Sequence, residues 1–266
     1  MQSLRLSSCP QSGVVIEPLE LRIPQAAGWI DPEPFRKRAV EGPALAEPFA
    51  PSRGMRTLYC DARTTPDLFD CPGAVLTFVL DGCVEIAADH ILRPGDVLLA
   101  DGARDGFPPM RIPGDCRLLQ VLVDADWPGE RTRPLQPRQG EARPGGVPNF
   151  KRMVKGTDER SYFRAFDALF TAKGQWSPIT PLTGLRFIGM AADTFIDWHP
   201  EIVNNFVIVM TGGLELETGG GTGQTEVFWP GDVCLAEDRT GEGHIDRMHG
   251  HVQVAVLIVP DEHLWP

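Results

Sequence analysis

Short apolar runs, not long amphipathic stretches, dominate the chain. Leu214-Glu215-Leu216-Glu217 alternates strictly, which puts one face of a strand in a core and the other in water. Phe206-Val207-Ile208-Val209-Met210 is apolar throughout, as a strand covered on both sides requires. Residues 118–123 and 252–259 read alike, and all these runs are bounded by Gly, Pro or Asp. The pattern predicts an all-β fold whose turn spacing suits a sandwich or barrel. Residues 156–170 carry Phe163, Phe166, Leu169 and Phe170, which fit either a short helical turn or an irregular strand.

The runs occur twice. Val79-Leu80-Asp81-Gly82-Cys83-Val84-Glu85-Ile86 is followed, after a turn, by Arg93-Pro94-Gly95-Asp96-Val97-Leu98-Leu99-Ala100-Asp101. Val209-Met210-Thr211-Gly212-Gly213-Leu214-Glu215-Leu216 is followed by Trp229-Pro230-Gly231-Asp232-Val233-Cys234-Leu235-Ala236-Glu237. Gly82 and Gly212 lie 130 residues apart, Pro94 and Pro230 lie 136 apart. The difference of six falls around the glycine-rich turn 219–223, and a hairpin tip tolerates insertion where a strand does not.

Composition then separates one large domain from two small ones. The 266 residues are 42% apolar and 23% charged, enough for a sizeable core. The 28 Gly and 25 Pro are the outliers, and the repeat places many of them in paired turns. The organisation expected is an extended N-terminal arm (1–56) packed on the barrels, a first barrel (57–126), a Pro/Gly-rich linker (127–150) and a second barrel (151–266). The linker carries Arg131, Arg133, Arg138 and Arg143 and reads as a surface span rather than an anion-binding arm.

A net charge of −11 argues against nucleic-acid and anionic-membrane partners. No apolar run approaches the ~20 residues of a spanning helix, and the N-terminus lacks a signal-peptide pattern. The six cysteines, at 9, 60, 71, 83, 116 and 234, show no metal or redox spacing; several sit in apolar runs, as buried thiols in a reducing compartment do. The expected location is cytoplasmic.

Two β-repeats, each with a Gly-terminated strand and a Pro-Gly-Asp turn, resemble the two motifs of the cupin superfamily. The second copy also resembles a group of small cupin proteins without a settled activity, through Lys151-Arg152-Met153-Val154-Lys155-Gly156, Asp197-Trp198-His199-Pro200 and residues 236–244. The resemblance implies two jelly-roll barrels in tandem, and a possible homodimer that covers sheet edges. It also implies a metal inside the barrel, bound in the family by three His and one Glu. Here those positions hold His199, Glu201 (where the family has its second His), Asn205 (seven before Gly212) and His244.

On a strand, His199 and Glu201 point to one face. With His244 they make two imidazoles and a carboxylate, a set suited to one divalent Fe, Zn, Mn or Ni ion. Asn205 adds a neutral ligand or holds a water. The opposing reading leaves Glu201 in solvent, because Pro200 disturbs the strand, and Asn205 in ordinary hydrogen bonds. Glu237 and Asp238 suit either a general acid–base role or a solvated loop. Arg186, if it points inward, can bind a substrate carboxylate; the alternative is a surface arginine. Trp198 and Trp229 read as packing outside the barrel, and His249 and His251 as an exposed tip. His90 and His263 have no assigned role.

In the first copy Val75 corresponds to Asn205, Pro108 to His244 and Asp101 to Glu237, which implies a filled barrel with a structural or interfacial role. The function expected is metal-dependent, oxygenase-type chemistry on a small organic substrate in the second barrel, with His199, Glu201 and His244 holding the metal. The alternatives are a Lewis-acid or metal-free isomerase, lyase or cyclase with His199 and Glu201 as an acid–base pair, and a non-catalytic small-molecule-binding protein.

Overall fold

The computed structural model describes residues 1–9, 13–19, 21, 23–41, 51–64, 66–70, 73–86, 90–101, 107, 110–124, 143–144, 146–219, 223–261 and 265. Cys71, Pro108, Arg131, Arg133, Arg138 and His263 lie outside them. The chain forms two units: Met1–Arg22, Ala50–Gly140 and Ala168–Thr183 make the first, and Ile23–Phe49, Glu141–Asp167 and Gly184–Pro266 the second.

In the first unit a six-stranded sheet runs Gly13–Pro18, Ser3–Cys9, Val97–Asp101, Ala74–Asp81, Cys116–Val123, Ser52–Cys60. A three-stranded sheet runs Met110–Arg111, Val84–Ile86, His90–Leu92. Leu4, Leu58, Val79, Ile86, Leu98 and Leu118 share one core cluster that both sheets supply.

The second unit is built on two long strands, Asn205–Thr218 and His244–Ile258. Their pairing shifts register around Thr211. Beyond the shift their far halves pair with Gln224–Phe228 and Phe195–His199, while their near halves pair with Val233–Ala236 and Gly184–Met190. The sheet thereby folds over on itself around Met153, Val209, Leu216, Phe228 and Val254. Gly212 permits the bend: its φ is 69°, and a Cβ there would stand 2.6 Å from the His251 carbonyl oxygen.

The Pro-Gly-Asp turns act alike in both units. Asp96 accepts from the Arg93 and Gln2 amides, and Asp232 from the Trp229 (2.7 Å) and Asn149 (2.8 Å) amides. Gln2 and Asn149 immediately precede matching strands: Ser3 lies opposite Val97 in parallel, and Phe150 opposite Val233.

The repeat therefore extends into the segment expected to be an arm. Ser3–Cys9 and Gly13–Pro18 pair antiparallel in the first sheet, as Phe150–Lys155 and Ser161–Ala165 do in the second unit. Alternating Leu4 and Leu6, both buried, drive Ser3–Cys9 there. Residues 23–41 of that segment join the second unit: Gln25–Ala26 pairs with Gly184–Met190, Trp29–Ile30 with Phe195–His199, and a helix spans Glu33–Glu41, while its last residues begin the first unit's strand Ser52–Cys60. In return, residues 168–183 belong to the first unit, bridged to its strand at Met55–Thr180 and Leu58–Trp176. Each unit is therefore assembled from segments that are not contiguous in sequence. Residues 156–170 contain both expected alternatives, a strand to Ala165 and a 3₁₀ turn at Asp167–Leu169.

Arg143 is buried 2.8 Å from Asp232 Oδ1, so this part of the expected surface linker makes an interior ion pair. Cys60, Cys116 and Cys234 are buried cysteines, and Cys83 is half-buried. Among the described residues no helix is long and apolar enough to cross a membrane.

Candidate metal centre

His199 ends the strand Phe195–His199 and His244 begins the strand His244–Ile258. The two face each other in register, their ring centroids 4.4 Å apart. This approach needs the glycine before His244. Gly243 has φ 79°, and a Cβ on it would stand 2.0 Å from the His199 carbonyl oxygen. Asp246, two residues beyond His244, shares its side of the strand.

Both imidazoles are held in one tautomer. His199 Nδ1 lies 2.9 Å from the Asp197 carbonyl oxygen, which can only accept, so Nδ1 carries the proton. His244 Nδ1 lies 2.9 Å from Asp238 Oδ2, which also accepts from Ser161 Oγ at 2.8 Å. Each Nε2 is thereby left to face the third member, Asp246. His244 Nε2 stands 3.4 Å from Asp246 Oδ1, and His199 Nε2 stands 4.0 Å from Asp246 Oδ2. Metal–nitrogen bonds of about 2.0–2.1 Å place neighbouring ligand atoms roughly 3–3.5 Å apart, so this spacing is close to a coordination shell. All three ligand atoms lie within 4.8 Å of one another, and both histidines are buried. Asp246 Oδ1 and Asn205 Oδ1 are buried with no hydrogen-bond partner among the described residues. Buried oxygens without donors, beside two imidazole lone pairs, form a donor set that fits a divalent cation.

The electrostatics follow from burial and proximity. Burial, reinforced by His244, depresses His199 to about 3, so its ring stays neutral. Burial acts the same way on His244, but Asp238, Asp246 and Glu201 outweigh it and raise the ring to about 10. Burial raises Asp246 and lifts Glu201 to about 7. Without a metal the centre therefore holds a proton on His244, at the nitrogen a metal would use.

The expected set is brought together, with one change and one addition. Glu201 is not on a strand: the strand stops at His199, and Pro200 has no N–H to continue it. The loop still returns its carboxylate, with Oε1 3.9 Å from His244 Nε2. Asn205 is buried in the same lining and donates Nδ2 to the Val203 carbonyl at 2.9 Å. Asp246 was missed. The signal was His244-Ile245-Asp246, the same two-residue spacing that singled out His199 and Glu201.

Asp238 belongs to the interior and not to a solvated loop, since it is fully buried against His244 and Ser161. Glu237 instead pairs with Arg152 at 2.8 Å. His249 is exposed and pairs with Glu215, and Trp229 stacks beside it. The helix Glu33–Glu41 covers the centre. Phe35 lies 4.9 Å from the His199 ring, and Arg36 Nη2 donates to the Trp198 carbonyl at 2.6 Å.

In the first unit the described counterparts of these residues are apolar. Phe69, 130 residues before His199, packs edge-on against Phe107, with ring centroids 5.0 Å apart. Met110 stands at the position of Asp246, and Val75 at that of Asn205. Pro108, the counterpart of His244, lies outside the described residues.

Comparison with known proteins gives structural matches to cupin-fold proteins at low identity; no family model and no curated sequence matches. A cupin 2 conserved barrel domain protein from Leptotrichia buccalis is 9% identical over 79% of this chain and 80% of that one, with a TM-score of 0.32. A variant of Bacillus subtilis oxalate decarboxylase is 13% identical over 80% and 68%, TM-score 0.28. The cAMP-bound regulatory domain of Toxoplasma gondii PKA is 13% identical over 77% and 78%, TM-score 0.23. Among the described residues the chain is mostly β, with two major sheets.

Proposed function

We propose that the second unit is a mononuclear metal enzyme in which His199, His244 and Asp246 hold the ion and Glu201 handles protons beside it. The observation that carries this is the pair of Nδ1-anchored imidazoles whose Nε2 atoms face the two oxygens of one carboxylate, Asp246. Two His and one carboxylate leave coordination positions open, and that composition suits non-haem Fe(II) and oxygenase-type chemistry on a small organic molecule. The bound ion would supply Lewis acidity and a site for oxygen donors.

The chain's own residues do the rest. Asp238, fixed by Ser161, holds the His244 ring in place. Asp197 does so for His199 through its backbone carbonyl. Phe35 shields the His199 side from water. Glu201 stands outside the three-ligand group but within reach of a substrate bound there. That carboxylate also favours a second reading, a Lewis-acid isomerase or lyase, in which the metal polarises the substrate and Glu201 moves a proton.

Metal analysis of the full chain, followed by oxygen-electrode assays with the iron-loaded protein and candidate substrates, separates the two. Substrate-dependent O₂ uptake supports the oxygenase reading. Product formation without O₂ uptake supports the second, and a protein that binds no transition metal contradicts both.

A further inference from the structure

The two histidines of the centre are supported very differently. His244 opens a 15-residue strand, and the fully buried Asp238 meets its Nδ1. His199 stands at the end of a five-residue strand, Phe195–His199, that has little ladder support there. The pairing of that strand with His244–Ile258 shifts register between Ile196 and His199, and Pro200 has no N–H to extend it. On the other side its parallel partner, Trp29–Ile30, faces only Phe195 and Ile196.

Side chains from a segment distant in sequence take over where that partner stops. After Ile30 the chain leaves the sheet: Asp31 Oδ1 accepts from the Glu33 amide at 3.0 Å, Pro32 is buried, and the helix Glu33–Glu41 begins at once. Its first turn carries Phe35 and Arg36 back over the end of the His199 strand. Arg36 Nε and Nη2 both donate to the Trp198 carbonyl, at 3.0 and 2.6 Å, where the departed strand offers no amide. Arg36 Nη1 donates to Glu33 Oε1 at 3.3 Å, which steadies the guanidinium. The Trp198 carbonyl and the His199 nitrogen belong to one planar peptide unit, so holding the carbonyl orients the bond from which His199 projects. The half-buried Phe35 ring lies 4.9 Å from the His199 ring and tilted by 59°.

We propose that Arg36 and Phe35 are positioning residues of the metal centre. Arg36 fixes the peptide that precedes His199, Phe35 limits rotation of the imidazole, and together they keep its Nε2 directed at the ion. The assignment deepens the metal-enzyme reading and rests on it.

The test uses the full-length protein and three readouts: Zn²⁺ affinity by chelator competition, the visible absorption of the Co²⁺-loaded protein, and the melting temperature of the metal-free protein. Arg36 is exposed, so Arg36→Met removes both donors without disturbing the core. It is expected to bind Zn²⁺ about 10-fold more weakly and to change the Co²⁺ spectrum, with a melting temperature near that of wild type. Arg36→Lys keeps a donor and is expected to recover most of both losses. Phe35→Ala is expected to change affinity and spectrum in the same direction; if it does not fold, Arg36→Met decides. A folded Arg36→Met with wild-type affinity and spectrum overturns the assignment while the metal reading stands, and so does a lowered melting temperature as its sole effect. Wild-type protein that takes up neither Zn²⁺ nor Co²⁺ overturns the metal reading and the assignment with it.

Discussion

Asp238 is a residue that would act on a bound metal only through another side chain, His244. Asp238→Asn keeps the size of the side chain and removes the charge that His244 Nδ1 meets at 2.9 Å. Two effects follow, with opposite signs. The first is intrinsic: a neutral partner makes the imidazole a poorer donor, and loss of such an outer carboxylate weakens metal binding about 10- to 100-fold, or roughly 1.4–2.8 kcal/mol. The second is competitive. His244 is raised to about 10 in the native protein, so below that pH a metal must displace a proton, and its apparent affinity rises about tenfold per pH unit up to that value. Asp238 is the leading cause of the elevation. In Asp238→Asn the proton is held less tightly, and the rise levels off at a lower pH and at a lower plateau. The assay is competition with a chromophoric chelator for Zn²⁺ between pH 6 and 10, free metal being buffered below hydroxide precipitation. Near neutral pH the two effects partly cancel, and at high pH the variant is expected to be weaker by the full intrinsic factor. Coincident profiles from a folded variant would refute the proposed coupling of Asp238 to the metal through His244.

Other outcomes follow from the same geometry. Asp246→Ala should empty the centre, whereas Glu201→Ala should retain metal and lose turnover; elemental analysis with an activity assay reads both, and the reverse pattern would restore Glu201 as the ligand. Gly243→Ala should drive a Cβ into the His199 backbone, destabilise the fold by about 1–3 kcal/mol in urea titrations, and reduce metal content. Gln120→Val should remove the two hydrogen bonds that buried Arg56 donates to Gln120 and cost about 2–3 kcal/mol of stability, again by urea titration, with no change in metal content.

Much of the fold was legible because strand periodicity and turn chemistry are local signals. Pro94-Gly95-Asp96 and Pro230-Gly231-Asp232 announced turns whose Asp side chains do bond nearby amides. The Ser3–Cys9 strand was hidden by its brevity and by the distance in sequence to its partner Val97. The exchange of residues 23–41 and 168–183 was hidden for a stronger reason: nothing local in a chain records which of two similar units a connecting segment will cover. At the site, His199 and His244 were readable from repeat spacing. Asp246 required knowing that the strand starts at His244, and Asp238 required knowing that its loop turns inward. Alternation also left Arg186 undecided until the register placed it beside Ile188 and Met190.

The most direct test of the central claim is the metal content of the full-length protein, purified without added metal and then reconstituted with Fe²⁺ or Zn²⁺, beside His199→Ala and His244→Ala. The account predicts about one ion per wild-type chain, and loss of that ion in each folded variant. A wild-type protein that takes up no ion, or histidine variants that keep theirs, would contradict it.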